Sequence, residues 1–131
     1  MATIVERAKS LGLPLDNFVV IGSGLLDALG LRKSGDIDIA VSPETWQRLA
    51  DTNRYRRQLK HDGEVLLSED LEIWPFWTPE HPFSELYASA VKIDGVLFAN
   101  PAIIIEFKKW RASEKDLKDI VLLEGHLNER A

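Results

Sequence analysis

Short apolar runs alternate with polar breaks marked by glycine or proline along this chain, and their spacing predicts most of its elements. Ile4, Val5, Ala8 and Leu11 recur at helical spacing until Gly12 and Pro14 close the segment. Phe18 to Ile21 is wholly apolar, as expected of a central strand buried on both faces. It breaks into Gly22-Ser23-Gly24, and Leu25 to Leu31 then reads as a short helix. Asp36 to Val41 reads as a second strand. Side chains alternate faces along a strand, so Asp36 and Asp38 share one face while Ile37 and Ile39 point into a core. Ser42 and Pro43 start a helix, with serine at the cap and proline at the first helical position, running through Trp46 and Leu49 to Asp51.

Further along, Tyr55 to Leu59, Glu64 to Leu67 and Leu71 to Trp74 predict successive strands, with turns at His61-Asp62-Gly63 and Ser68-Glu69-Asp70. Pro75, Pro79 and Pro82 mark an irregular loop rich in aromatics, and Phe83 to Ala90 reads as a short helix. Val91 to Ile93 and Val96 to Phe98 flank Asp94-Gly95 as a tight hairpin. Asn100-Pro101 opens a helix over Ala102 to Arg111. Ser113 caps a last helix from Glu114 to about Leu127, with Leu117, Ile120, Val121 and Leu123 as its apolar stripe. The pattern predicts an α/β (α+β) fold, a small mixed β-sheet flanked by helices. With no repeat, low-complexity tract or linker, residues 1–131 are expected to form a single domain.

Composition narrows the function classes. The chain has 131 residues, 45% of them hydrophobic, which suffices for a core. A net charge of −5 argues against a broad surface for sequence-independent nucleic-acid binding, though not against a local basic patch. The absence of cysteine excludes disulfides and thiolate metal sites. No basic segment followed by an apolar signal core opens the sequence, and no apolar run is long enough to span a bilayer. The expectation is a cytoplasmic protein without membrane contact.

Candidate chemistry lies in five places. Asp36 and Asp38 on one strand face are either solvated or share a divalent cation, since hard cations take oxygen ligands. Glu72, between Leu71 and Ile73 inside a strand, ranks above the turn residue Asp70 as a third ligand. Gly22 and Ser23 lie between a buried strand and a helix, where glycine permits close approach and free amides bind phosphate oxygens. Lys108, Arg111 and Lys115 lie near helical spacing and either form a solvated face or converge on one polyphosphate. Arg54, Arg56, Arg57 and Lys60 are candidates for contact with an acceptor. Trp74, Phe76 and Trp77 either stack a base or lid the core.

Taken together, Gly22-Ser23, Asp36-Ile37-Asp38 and Glu72 resemble the signature of the polymerase-β-type nucleotidyltransferase superfamily. Leu31-Arg32-Lys33-Ser34-Gly35-Asp36-Ile37-Asp38-Ile39 is similar to its small prokaryotic branch. That branch holds abortive-infection-type toxins and minimal nucleotidyltransferases that pair with a helical partner. The tail, Lys108-Lys109-Trp110-Arg111 with Glu114-Lys115-Asp116-Leu117-Lys118-Asp119-Ile120, resembles the branch's last motif, so the resemblance spans the chain from Phe18 onward. It implies a nucleotidyltransferase fold and transfer of a nucleoside monophosphate from a nucleoside triphosphate such as ATP to an acceptor hydroxyl on RNA, protein or a small molecule. Two Mg²⁺ ions, or Mn²⁺ in their place, accompany that reaction. By position, Asp36 and Asp38 would hold both metals, and Glu72 would hold the catalytic one and help deprotonate the acceptor. Gly22 and Ser23 would contact the β- and γ-phosphates, and Lys115 with Lys108 would neutralise the triphosphate. Larger relatives add a C-terminal helical domain. Here two helices follow the sheet, which leaves the acceptor site open, completed by a second subunit, or lost. The alternative is a nucleotide-binding antitoxin or partner-binding module of a toxin–antitoxin-like pair with little or no turnover, joined to a helical partner or to a second copy.

Overall fold

The computed structural model describes residues 3–60, 63–78 and 81–130. Helices are α1 (Ile4–Lys9), α2 (Gly24–Ala28), α3 (Pro43–Asp51), α4 (Phe83–Ser89), α5 (Pro101–Arg111) and α6 (Glu114–Arg130). Strands are β1 (Phe18–Ile21), β2 (Ile37–Val41), β3 (Arg56–Lys60), β4 (Gly63–Ser68), β5 (Leu71–Trp74), β6 (Phe76–Thr78), β7 (His81–Pro82), β8 (Val91–Ile93) and β9 (Val96–Phe98). Seven of the strands form one mixed sheet in the order β3-β4-β5-β2-β1-β9-β8. β1 runs antiparallel to β2 and parallel to β9, and β2 runs parallel to β5.

Local chemistry explains where elements begin and stop. Ser42 Oγ accepts the Thr45 amide at 3.1 Å ahead of Pro43, which fixes the start of α3. Asn100 Oδ1 does the same for Ala102 at 2.9 Å, so α5 starts at Pro101. Asp94 and Gly95 both take left-handed backbone angles, the geometry that closes a two-residue hairpin between β8 and β9. Buried apolar side chains centre on β1, β2 and β5, including Phe18, Val20, Ile39 and Ile73. Ile4 from α1, Leu25 and Leu26 from α2, Ile104 from α5 and Leu123 from α6 join the same core.

Several expectations need correction. The helix expected over Leu25–Leu31 ends at Ala28, because Gly30 turns to a left-handed φ of 75°. The first helix stops at Lys9, short of Leu11. The second strand begins at Ile37 rather than Asp36. The proline-rich stretch, read as irregular, contains β6 and β7 paired antiparallel. The last helix runs on to Arg130. His61 and Asp62 of one expected turn, and Pro79 of the loop, lie outside the described residues.

Candidate active site

Strand register assembles the acidic pair. Asp38 on β2 stands opposite Glu72 on β5, and on its other side opposite Ile21, the last residue of β1. Residues opposed in this way share a face of the sheet, so the two half-buried carboxylates are neighbours across adjacent strands. The chain then turns at Gly22, whose φ of 69° is open to glycine at little cost. The turn passes close over Asp38, and a Cβ at Gly22 would stand 3.1 Å from Asp38 Oδ2. A side chain there would occupy the space in front of the carboxylate.

Asp36 lies one residue before β2 and is exposed, with its carbonyl accepting the Ser34 hydroxyl at 2.9 Å. Asp70 is occupied elsewhere: its carboxylate pairs with Arg7 at 2.6 Å, and its carbonyl accepts the Ile37 amide at 2.7 Å. Among the described residues, no three His, Asp or Glu side chains stand close enough together to hold an ion. Of the three expected carboxylates, Asp38 and Glu72 are paired within the sheet and Asp36 stands one residue ahead of β2. A two-carboxylate site still fits the group expected. Mg²⁺ is usually held by one or two carboxylates plus substrate phosphates, and Asp38 and Glu72 offer such oxygen donors with the space at Gly22 left clear.

A buried ionic network flanks this pair. Ala112 takes a left-handed cap (φ 52°) after α5, and Ser113 caps α6 by accepting the Asp116 amide at 3.1 Å. The short turn sets Lys108 and Arg111, three residues apart at the end of α5, against Asp116 and Asp119, three apart at the start of α6. Cations at a helix C-terminus and acids at an N-terminus also suit both helix dipoles. Arg111 holds Asp116 through two bonds of 2.7 and 2.6 Å, and Arg32 holds Asp119 through two of 2.6 and 2.8 Å. Lys108 is buried with its ammonium 2.9 Å from Asp119, 3.2 Å from Ser23 Oγ and 3.5 Å from Asp116. Ser23 therefore does not cap α2 with its side chain, and its hydroxyl donates to Asp119 at 3.3 Å.

The carboxyls respond as this geometry requires. Hydrogen bonds from Arg111 outweigh burial at Asp116, and with Ser113 they hold it far below the ordinary carboxylate range. Burial raises Asp119, but hydrogen bonds from Arg32 and Lys108 overcome it and bring the carboxyl down to about 2. Both acids are ionised at neutral pH, and Arg111 also feels the charges of Asp38 and Asp119. Three cations against two carboxylates leave the wall beside the acidic pair positive.

The remaining sequence candidates scatter. Lys115 is exposed on the first turn of α6. Arg56 is exposed and shares the row of Glu72 through Leu67, whereas the adjacent Arg57 pairs with Glu64 at 2.7 Å and lies over the Trp46 ring. Trp74 is half-buried, and the side chains of Lys60, Phe76 and Trp77 fall outside the described set. Sequence reasoning quoted Arg32, Asp116 and Asp119 within the stretches that carry the resemblance but gave them no role of their own. The signal available for the two acids was their three-residue spacing, matched to the Lys108–Arg111 spacing one helix earlier.

Among solved structures, the crystal structure of ANT(2")-Ia in complex with adenylyl-2"-tobramycin superposes on this chain with a TM-score of 0.58. The likeness covers 95% of this chain and 86% of that one at 20% sequence identity. At that identity the likeness is one of fold, and this chain has the fold of that structure. The fold class expected from the sequence, a mixed sheet flanked by helices, is the one found. No protein-family model and no curated protein matches the chain. Among the described residues, no helix is long and apolar enough to cross a membrane.

Proposed function

We propose that residues 1–131 act as one nucleotidyltransferase-like domain, moving a nucleoside monophosphate from a nucleoside triphosphate to an acceptor hydroxyl. The observation that carries this reading is the pairing of Asp38 with Glu72 across adjacent strands, beside a glycine turn where any added Cβ would stand 3.1 Å from Asp38 Oδ2. In the reaction the acceptor oxygen bonds to the α-phosphorus, the bond from that phosphorus to its bridging oxygen breaks, and pyrophosphate leaves. The acceptor proton passes to Glu72. Asp38 and Glu72 are the principal carboxylates for Mg²⁺, or Mn²⁺ in its place, with Asp36 as the outer one. Bound there, the metal supplies charge neutralisation for the phosphates and a lowered pKa for the attacking hydroxyl. Gly22 and Ser23 lie along the β- and γ-phosphates, and Lys115 adds positive charge from α6. Lys108, whose ammonium is committed to Ser23, Asp119 and Asp116, supports the turn from behind. The protein's work is chiefly positioning and charge stabilisation.

The acceptor is to be found by trial. RNA, protein and hydroxylated small molecules are the classes to offer, the last because the structural neighbour is captured with an adenylylated one. Incubation with Mg²⁺, each labelled nucleoside triphosphate and these acceptors should give a labelled product that requires Asp38 and Glu72. A second reading, a partner-binding module of a toxin–antitoxin-like pair, draws on the exposed apolar side chains Trp110, Leu117 and Val121. Co-purification with a helical partner, unchanged in Asp38→Asn and with no labelled product, would favour it.

A further inference from the structure

The ionic network contains three cations, but they differ in what they have left to give. An ammonium has three donors. Those of Lys108 face Ser23, Asp119 and Asp116, and the side chain is 1% exposed. A guanidinium has five N–H donors in a rigid fork. Arg32 spends its Nε and Nη2 on Asp119 and its Nη1 on the Lys33 carbonyl at 2.8 Å, with 23% of the side chain exposed. Arg111 spends only Nε and Nη2 on Asp116, and 46% of its side chain is exposed. Its Cζ also lies over the Phe107 ring, 5.0 Å from the centroid. Asp116 is itself fully buried and fixed by the Ser113 hydroxyl at 2.6 Å, so the fork is anchored on its inner edge while its outer edge reaches solvent. From the Gly22 turn, where an added Cβ would stand 3.1 Å from Asp38 Oδ2, the chain passes to Ser23, whose hydroxyl meets Lys108, which meets Asp116, which holds Arg111.

We propose that Arg111 is the residue that grips the terminal phosphates of the nucleoside triphosphate, and that Asp116 is the positioning residue that aims it. This rests on the nucleotidyl-transfer reading above, and it adds Arg111 to Lys115 as a cation that meets the phosphates, with Lys108 behind the turn. A planar fork fixed on one edge presents its other N–H groups in the geometry that matches phosphate oxygens. Monophosphates lack the groups Arg111 would hold, so Arg111 sets the preference for triphosphate over monophosphate.

Calorimetric titration of the full chain in Mg²⁺ with the four ribonucleoside triphosphates, and with the monophosphate of whichever binds, tests this. Arg111→Gln should weaken triphosphate binding about tenfold or more and leave monophosphate binding within about twofold, an energy difference near 1.4 kcal/mol per tenfold. Arg111→Lys, which keeps the charge but loses the fork, should fall between. Asp116→Asn should lower triphosphate affinity in the same direction. Lys118→Ala, an exposed change on α6, should bind as wild type does, and thermal unfolding should show each Arg111 variant folded. Unchanged triphosphate affinity in folded Arg111→Gln, or equal loss for both ligands, overturns this inference while the functional reading stands. Binding of none of the four triphosphates by the wild-type chain overturns both.

Discussion

At Gly22 two demands meet in one residue, a left-handed φ of 69° and passage 3.1 Å from Asp38 Oδ2 for any added Cβ. Gly22→Ala should therefore cost about 1–2 kcal/mol from backbone strain. It should also lower activity beyond what the stability loss explains, because the methyl displaces the carboxylate. Urea unfolding and kcat measured on the same preparation separate the two effects. Glu72 separates them in the other direction. Replacing it with glutamine keeps the side chain's size and removes one of two facing carboxylates, so the variant should stay folded. Loss of a base for the acceptor proton should lower kcat by about a hundredfold or more. A Glu72→Gln variant with wild-type kcat would remove it from the reaction.

The α5–α6 corner is where elements, rather than single residues, build the site. Asp119→Asn removes the nearer of the two buried carboxylates beside Lys108 and the carboxylate that Arg32 grips, which should destabilise the fold by about 3–5 kcal/mol. The pH dependence follows with a definite sign. The Asp119 carboxyl sits at about 2 in the folded chain against an ordinary 3.8, so its contribution is full above the ordinary value and fades as pH falls through 4 toward 2. Chemical unfolding between pH 6 and pH 2.5 should show wild type losing stability more steeply than Asp119→Asn, and parallel curves would contradict the network. Such a corner was only half legible in the sequence. Ser42-Pro43, Asn100-Pro101 and Asp94-Gly95 announced their elements because caps and tight turns are decided by neighbouring residues. Pairing of β1 with β9, separated by most of the chain, is decided by packing and carries no local mark. Lys108 read as part of a solvated face or as a polyphosphate contact because Asp116 and Asp119, which bury it, lie across a turn whose closure depends on a left-handed Ala112.

For the molecule as a whole, the seven-stranded sheet makes three distant stretches into one site: the end of β1, the middle of β2 and the middle of β5. The Asp-x-Asp and Gly-Ser patterns were visible as residues, but their adjacency to Glu72 exists only through the β1-β2-β5 register. Outside that site, Val121 is 71% exposed on α6. Val121→Glu should change stability by less than about 0.5 kcal/mol, checked by thermal unfolding, and leave nucleotide binding as it was. If it instead abolishes capture of a helical protein, α6 is a partner surface. The central claim concerns the carboxylate pair, and transfer of label from an α-labelled nucleoside triphosphate tests it most directly. Run with Mg²⁺ and the acceptor classes above, the wild-type chain should give a labelled product and free pyrophosphate, while folded Asp38→Asn gives neither. No product with any nucleotide and acceptor, or equal product from Asp38→Asn, would contradict it.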